Sequence, residues 1–280
     1  MERKGQHVFK ARPTVAKVSF DEFLRQACPP LDLEWRRYRR RSARHRVQAR
    51  MQQLGLSDYG DYLARVKSDS GEAAGLANLM RVTITRFFRE RTMWESLAQV
   101  VLPRLVMELS EGTPLRAWSV GACGGEEPYS LVLLWSELSF GPPLELLATD
   151  IDEASLQRAR GGRYRPATLR EVPAELRARF FTRVGNFFEV DRAVKDQVRF
   201  ERKDLLTDPT PRRVDLVLCR YLAFTYFTGK RRLRAEERLR GAMRTGGALM
   251  LGAKEHPPSG RLFAPWPGAS GFFRALEGVD

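Results

Sequence analysis

The first third of the chain carries apolar residues at helical spacing. Phe20, Phe23 and Leu24 mark one helix, and Val47, Met51 and Leu54 mark a second that ends at Gly55. Ser57 is the expected cap of a third helix, with Tyr59, Tyr62, Leu63 and Val66 on its inner face. Ser70-Gly71 is expected to break it, with a further helix over Glu72–Met80 and another over Trp94–Leu109. Residues 15–90 therefore read as a helical domain. From Arg116 the pattern becomes short apolar runs alternating with amphipathic stretches, which predicts an α/β fold with a parallel or mixed sheet covered on both faces. Strands are expected at Arg116–Val120, Leu144–Asp150, Val214–Arg220 and Ala248–Ala253. A helix is expected over Tyr129–Leu138, a short one around Leu156 and Ala159 ending at Gly161-Gly162, and another over Arg231–Arg244 closed by Gly246-Gly247. Residues 91–280 form this second domain, and within it residues 163–200 break the alternation. They carry Phe180, Phe181, Phe187, Phe188, Val190 and Val198, so a small folded insertion is expected there.

The segment Ser119–Ser130 reads as strand, glycine turn and helix. Gly121, Gly124 and Gly125 allow a tight turn and close approach of backbone to a ligand. Pro128 suits the first helical turn, and Glu126 and Glu127 suit the positive end of the helix dipole. A phosphate-binding turn needs free N–H groups and positive charge. Two glutamates at the helix entrance favour a cationic ligand, and the sulfonium and ammonium groups of S-adenosylmethionine fit that requirement. The second strand ends at Asp150, placed as an acidic residue that holds ribose hydroxyls. Asp152 reads as a helix cap, and Asp204, after the Val198–Phe200 run, reads either as a turn residue or as a contact to the adenine end. Gly121, Asp150, Asp204 and Arg220 all fall at the carboxyl edge of the expected sheet.

Composition adds two constraints. The net charge is +14, and Arg36, Arg37, Arg39, Arg40, Arg41, Arg44, Arg46 and Arg50 crowd one segment without an intervening acid, which favours an acidic partner. Three dispersed cysteines give neither a disulfide framework nor a zinc pattern, which suits a reducing cytoplasm, and no apolar stretch has transmembrane length; the protein is expected in the cytoplasm, and a monomer is taken as the working state. His7, His45 and His256 show no catalytic or metal spacing.

Several motifs recur in one order along the chain: Thr83-Ile84-Thr85-Arg86-Phe87-Phe88-Arg89-Glu90, Gly125-Glu126-Glu127-Pro128-Tyr129-Ser130, Ala148-Thr149-Asp150-Ile151-Asp152, Ala159–Tyr164, and Cys219-Arg220 followed by Tyr226-Phe227. In these the chain resembles the CheR-type chemotaxis receptor methyltransferases, which methylate glutamate side chains with S-adenosylmethionine. The resemblance implies a Rossmann-like S-adenosylmethionine-dependent methyltransferase sheet with an N-terminal helical domain and a small β insertion. It implies that Thr83, Thr85, Arg89, Glu127, Asp150, Asp204, Leu205, Cys219 and Arg220 line the cofactor site together with Gly121. It places Tyr226 near the transferred methyl group, with Arg89 as a candidate to orient a carboxylate. The basic segment Arg36–Arg50 would face an acidic helical chemoreceptor-like protein, and the insertion would dock a receptor tail. Three departures stand out. Ala122-Cys123-Gly124 replaces the usual Ala-Ser-Thr, Tyr221 replaces the usual Asn, and one extra residue separates Cys-Arg from Tyr-Phe. A nucleic-acid methyltransferase, a small-molecule carboxyl methyltransferase and a non-catalytic S-adenosylmethionine-binding regulator remain alternatives, although His256-Pro257-Pro258-Ser259 and Gly141-Pro142-Pro143-Leu144 do not match an amine-methylating loop.

Overall fold

The computed structural model describes residues 17–80, 85–138 and 141–278. These divide into two compact units: one holds the chain up to Leu31 and from Trp35 to residue 80, the other holds Asp32–Glu34 and everything from residue 85 onward.

The first unit is helical: α1 (Phe20–Ala27), α2 (Arg41–Gln53), α3 (Tyr59–Ser68) and α4 (Ser70–Leu79). Ser19 caps α1 by accepting from the Glu22 N–H. The caps of α3 and α4 differ from those expected. Asp58, not Ser57, accepts from the Gly60 N–H, and Asp69 accepts from the Gly71 and Glu72 N–H groups, so Ser70-Gly71 opens α4 instead of ending α3. A carboxylate outcompetes a neighbouring hydroxyl as a cap because it adds charge to the dipole interaction. Phe23 packs on Tyr62 at 5.4 Å between ring centroids. Glu72 is buried, accepts two hydrogen bonds from Arg50 at 2.6 and 3.1 Å, and accepts a third from the Tyr62 hydroxyl at 2.8 Å. Arg46 donates to the Leu79 carbonyl. Two arginines of the basic segment thus hold the unit together, while Arg36, Arg37, Arg39, Arg40, Arg41 and Arg44 are exposed.

In the second unit α5 (Arg91–Ser96) and α6 (Leu102–Met107) are joined by a π-helical turn, Leu97–Val101, just before Pro103, whose missing N–H interrupts the regular ladder. The chain then runs through β1 (Leu115–Val120), α7 (Glu126–Ser136), β2 (Leu144–Asp150) and α8 (Glu153–Gly161). An insertion follows: β3 (Arg163–Tyr164), α9 (Ala174–Phe180), β4 (Phe181–Val184), β5 (Phe187–Val190) and α10 (Arg192–Lys195). The main chain of the fold resumes with β6 (Val198–Arg202), β7 (Val214–Leu218), α11 (Ala223–Tyr226), α12 (Gly229–Ala242), β8 (Met243–Met250), β9 (Phe263–Pro265) and β10 (Phe272–Ala275).

Seven strands make one sheet in the order β6-β2-β1-β7-β8-β10-β9. The first five are parallel, and β10 is antiparallel to both β8 and β9. Both faces are covered. Leu115, Ala117, Leu216, Leu218, Ala248 and Met250 point into one core, and Trp118, Val120, Val217, Leu249 and Leu251 into the other, as the period of two requires. Strand order reverses between β1 and β7, so a crevice opens beyond their carboxyl ends.

Three expectations are corrected here. The glycine pair Gly246-Gly247 does not close the helix. α12 ends at Ala242 and the chain enters β8 directly, with an irregularity opposite Val214 and Leu216. Gly246 has φ +83°, and a Cβ on Gly247 would sit 3.1 Å from three carbonyl oxygens, so both glycines serve a β-bulge. Second, Thr85–Glu90 belong with the sheet unit, where Phe87 packs edge-on against Tyr164 and Phe181. The insertion sheet, ordered β3-β5-β4, closes at Val190, and Val198 already belongs to β6 of the main sheet.

The Glu72 cluster yields a pH-dependent expectation. The Arg50 hydrogen bonds hold its carboxyl below the ordinary glutamate range. A lowered folded-state value means that the contribution is complete above about pH 4.3 and fades as pH falls through the folded value. Glu72→Gln should raise amide exchange in α3 and α4 about tenfold at neutral pH. The difference from the wild-type chain should shrink as the pH is lowered below 4 or so; hydrogen-exchange mass spectrometry at the two pH values measures it.

Candidate functional site

The turn after β1 is built by backbone geometry that few residues adopt. Gly121 has φ +76°, and a Cβ there would approach the Leu222 side chain to 2.9 Å. The N–H groups of Gly121 and Ala122 both donate to the Thr149 carbonyl, at 2.8 and 3.0 Å. Gly125 has φ +90° and opens α7; a Cβ would meet Ala159, Tyr129 and the Tyr164 hydroxyl, each at 3.0 Å. The Tyr164 hydroxyl donates to the Gly124 carbonyl at 2.6 Å, so the insertion fixes the turn from outside. Cys123 takes a left-handed φ of 47° and donates its N–H to Asp150 Oδ2 at 2.9 Å.

Asp150 ends β2 with its carboxylate nearly buried and oriented by two backbone donors, the N–H groups of Cys123 and Asp152, both at 2.9 Å. Asp152 caps α8 through the Ser155 N–H at 3.0 Å, as expected. The Asp150 carbonyl accepts from the Lys203 N–H at 3.0 Å, which brings the loop after β6 alongside. There Asp204 folds its own turn: Oδ1 accepts from the Leu206 N–H and its N–H donates to Asp208. Leu205 is buried in the same core as Val120 and Cys219.

Glu126 and Glu127 stand at the first turn of α7. Burial pushes the Glu126 carboxyl up to about 7. Burial also raises Glu127, opposed by the Arg220 charge and by the Ser119 hydroxyl, which donates to it at 3.0 Å. The two cysteines of the site are not nucleophiles. Burial and the neighbouring carboxylates push the Cys123 thiol well up, and burial does the same to Cys219.

After β7, Arg220 turns its guanidinium inward, with its side chain only 3% exposed. It pairs with Glu90 at 2.8 Å and Glu127 at 3.5 Å and donates to the Arg89 carbonyl at 2.6 Å. These bonds commit it to holding the segment before α5 against the head of α7. Phe88 adds a second tie through its N–H to Ser130 Oγ at 3.0 Å. Arg89 differs. Its guanidinium lies over the Tyr221 ring, 3.9 Å from the centroid, and among the described residues no carboxylate pairs with it. Thr85 is half-buried at the start of this segment, and Thr83 lies outside the described residues. Tyr226 is buried on α11, where its carbonyl accepts from the Glu34 N–H at 2.9 Å, beside a bridge between Leu33 and Phe227.

The sequence therefore points to the turn, Asp150, Glu127, Arg89 and Arg220, and the structure gathers them at one sheet edge. It adds Glu90 and Glu255, which no spacing signalled. Glu255 is buried and accepts from the N–H groups of Tyr221 and Gly252, at 2.6 and 2.9 Å, and from the Thr225 hydroxyl. No His, Cys, Asp and Glu cluster of metal-binding geometry exists among the described residues, and no helix among them is long and apolar enough to cross a membrane.

The residues present fit S-adenosylmethionine: a carboxylate for ribose, buried acids at a helix head for cationic groups, and a guanidinium stacked on a ring that could meet a carboxylate. Comparison with known proteins agrees. Residues 83–264 match the family described as "CheR methyltransferase, SAM binding domain", and residues 33–80 match "CheR methyltransferase, all-alpha domain". A chemotaxis protein methyltransferase of Listeria monocytogenes is 30% identical over 83% of this chain and 88% of its own length. A probable chemotaxis protein methyltransferase of Rhizobium etli is 33% identical over 75% of this chain and 82% of its own. An uncharacterized 104.1 kDa protein of Rhodobacter capsulatus is 32% identical over 78% of this chain, which spans only 23% of that longer protein. The chain belongs to the CheR methyltransferase family, and its cofactor is S-adenosylmethionine.

Proposed function

We propose that this protein methylates glutamate side-chain carboxylates of a chemoreceptor-like protein in the cytoplasm. The observation that carries the reading is the match to both CheR domains, together with chemotaxis methyltransferases as relatives over most of their length. The arrangement of charges supports it. A glutamate acceptor has a pKa of about 4.3 and is anionic at neutral pH, so the site needs no general base. When bound, S-adenosylmethionine would supply an electrophilic methyl group to the acceptor carboxylate, with its thioether as the leaving group. The protein's task is alignment and exclusion of water.

Asp150 would hold the ribose hydroxyls and Glu127 the cationic amino group, with Gly121, Asp204, Leu205, Cys219, Thr83 and Thr85 lining the cofactor site. Arg220 would act through Glu127 and the Arg89 carbonyl, both of which it binds. Arg89 would bind a carboxylate, and Tyr226 would stand near the methyl group. The exposed arginines from Arg36 to Arg44 would meet an acidic helical stretch of the acceptor.

Three measurements test this. Co-expressed cell protein incubated with methyl-labelled S-adenosylmethionine should yield methanol on mild base treatment; label that survives base would point to amine methylation and overturn the carboxylate assignment. Calorimetry should show that Asp150→Ala weakens S-adenosylhomocysteine binding roughly ten- to a hundredfold, the size of a lost charged hydrogen bond. Arg89→Ala should lower methyl transfer at least about tenfold, and undiminished transfer would remove Arg89 from the site.

A further inference from the structure

Tyr221 stands where the family resemblance predicts asparagine, and the surrounding residues are fitted to its ring. The residue has φ +52°, a backbone region that bulky side chains avoid. Three contacts hold it there. Its N–H donates to Glu255 Oε2 at 2.6 Å, and its hydroxyl donates to Glu90 Oε1. Its ring lies so close to Gly252 that a Cβ at that position would come within 2.5 Å of the ring. Burial and the Glu90 carboxylate push the phenol up to about 12, so it stays protonated and remains a donor to Glu90.

The ring carries the Arg89 guanidinium. Stacking engages the flat face of a guanidinium and leaves its in-plane N–H groups free for a bidentate carboxylate. Without the ring, a long flexible side chain would have nothing to fix its plane. Arg89 also lies near enough to Glu127 to oppose the burial-driven rise of that carboxyl. A buried acid within electrostatic reach of a guanidinium held on a ring matches the ammonium and carboxylate that share one carbon in an amino acid.

We propose that Tyr221 is a positioning residue that presents Arg89 to the carboxylate of the methionine moiety of S-adenosylmethionine. Glu90 and Glu255 anchor the ring, and Gly252 makes room for it. The proposal rests on the cofactor assignment above but concerns a residue outside the family pattern.

Calorimetry on the full chain tests it, with S-adenosylhomocysteine and with 5′-methylthioadenosine, which lacks the amino-acid group. Tyr221→Ala should weaken S-adenosylhomocysteine about tenfold, the scale of a lost cation–π contact. Tyr221→Phe keeps the ring and should stay within about threefold of the wild type. Tyr221→Ala combined with Arg89→Ala should bind no more weakly than Arg89→Ala alone, and 5′-methylthioadenosine should bind the wild type and Tyr221→Ala equally. Additive effects of the two substitutions would overturn the proposal. So would equal weakening of both ligands, which would mark a general loss of structure. Failure of the wild type to bind S-adenosylhomocysteine would overturn the proposed function as well, whereas binding without coupling would overturn only the role of Tyr221.

Discussion

The site depends on one buried guanidinium. Arg220 lies between two acids from distant parts of the chain, Glu90 and Glu127, and also binds the Arg89 carbonyl. The head of α7 attracts negative charge through its dipole, yet burying Glu127 there costs solvation that the dipole alone does not offset. Arg220 supplies the opposing charge. In doing so it fixes the end of β7, the start of α7 and the segment from Phe88 to Glu90 relative to one another. Arg89 is thereby held by its own carbonyl while its side chain remains available. The two arginines are of one residue type but have separate tasks, and that separation follows from which of them is paired.

A second constraint is electrostatic segregation. The chain has a net charge of +14, yet Glu90, Glu126, Glu127, Asp150 and Glu255 gather at one sheet edge. Such an edge suits a ligand bearing sulfonium and ammonium groups, and the basic exterior suits an anionic macromolecule. The exterior is less basic in effect than the sequence implies, since Arg46 and Arg50 bind inside the helical unit.

How much of this was legible in the sequence varies with distance along the chain. β1, the glycine turn, α7 and β2 were legible because each is specified by its own residues: alternation with both faces apolar, glycines at positive φ, acids at a helix head. The glycine pair at Gly246-Gly247 was misread because a helix end and a β-bulge both call for a left-handed glycine, and only the partner strand decides between them. β9 and β10 carried no clear signal: they are three and four residues long and are specified by pairing with β8 and each other. The roles of Glu90 and Glu255 were not signalled because the partners that define them lie far off in sequence; Arg220 and Glu90 are 130 residues apart, and Tyr221 and Glu255 are 34 apart. Tyr221 stood out only as a departure, and its meaning required the ring of Arg89, Glu90 and Gly252 around it.

Four non-glycine residues at this edge, Phe88, Glu90, Cys123 and Tyr221, share left-handed backbone angles. Conformational strain is therefore concentrated at the edge proposed to hold the cofactor and is balanced by hydrogen bonds from neighbours. Glycine at Phe88, Glu90 or Tyr221 would relax the backbone while deleting a side-chain contact. Fold robustness and catalytic competence consequently pull in opposite directions here, so selection for thermal resilience alone would be expected to erode this edge before it touched the apolar layers beneath.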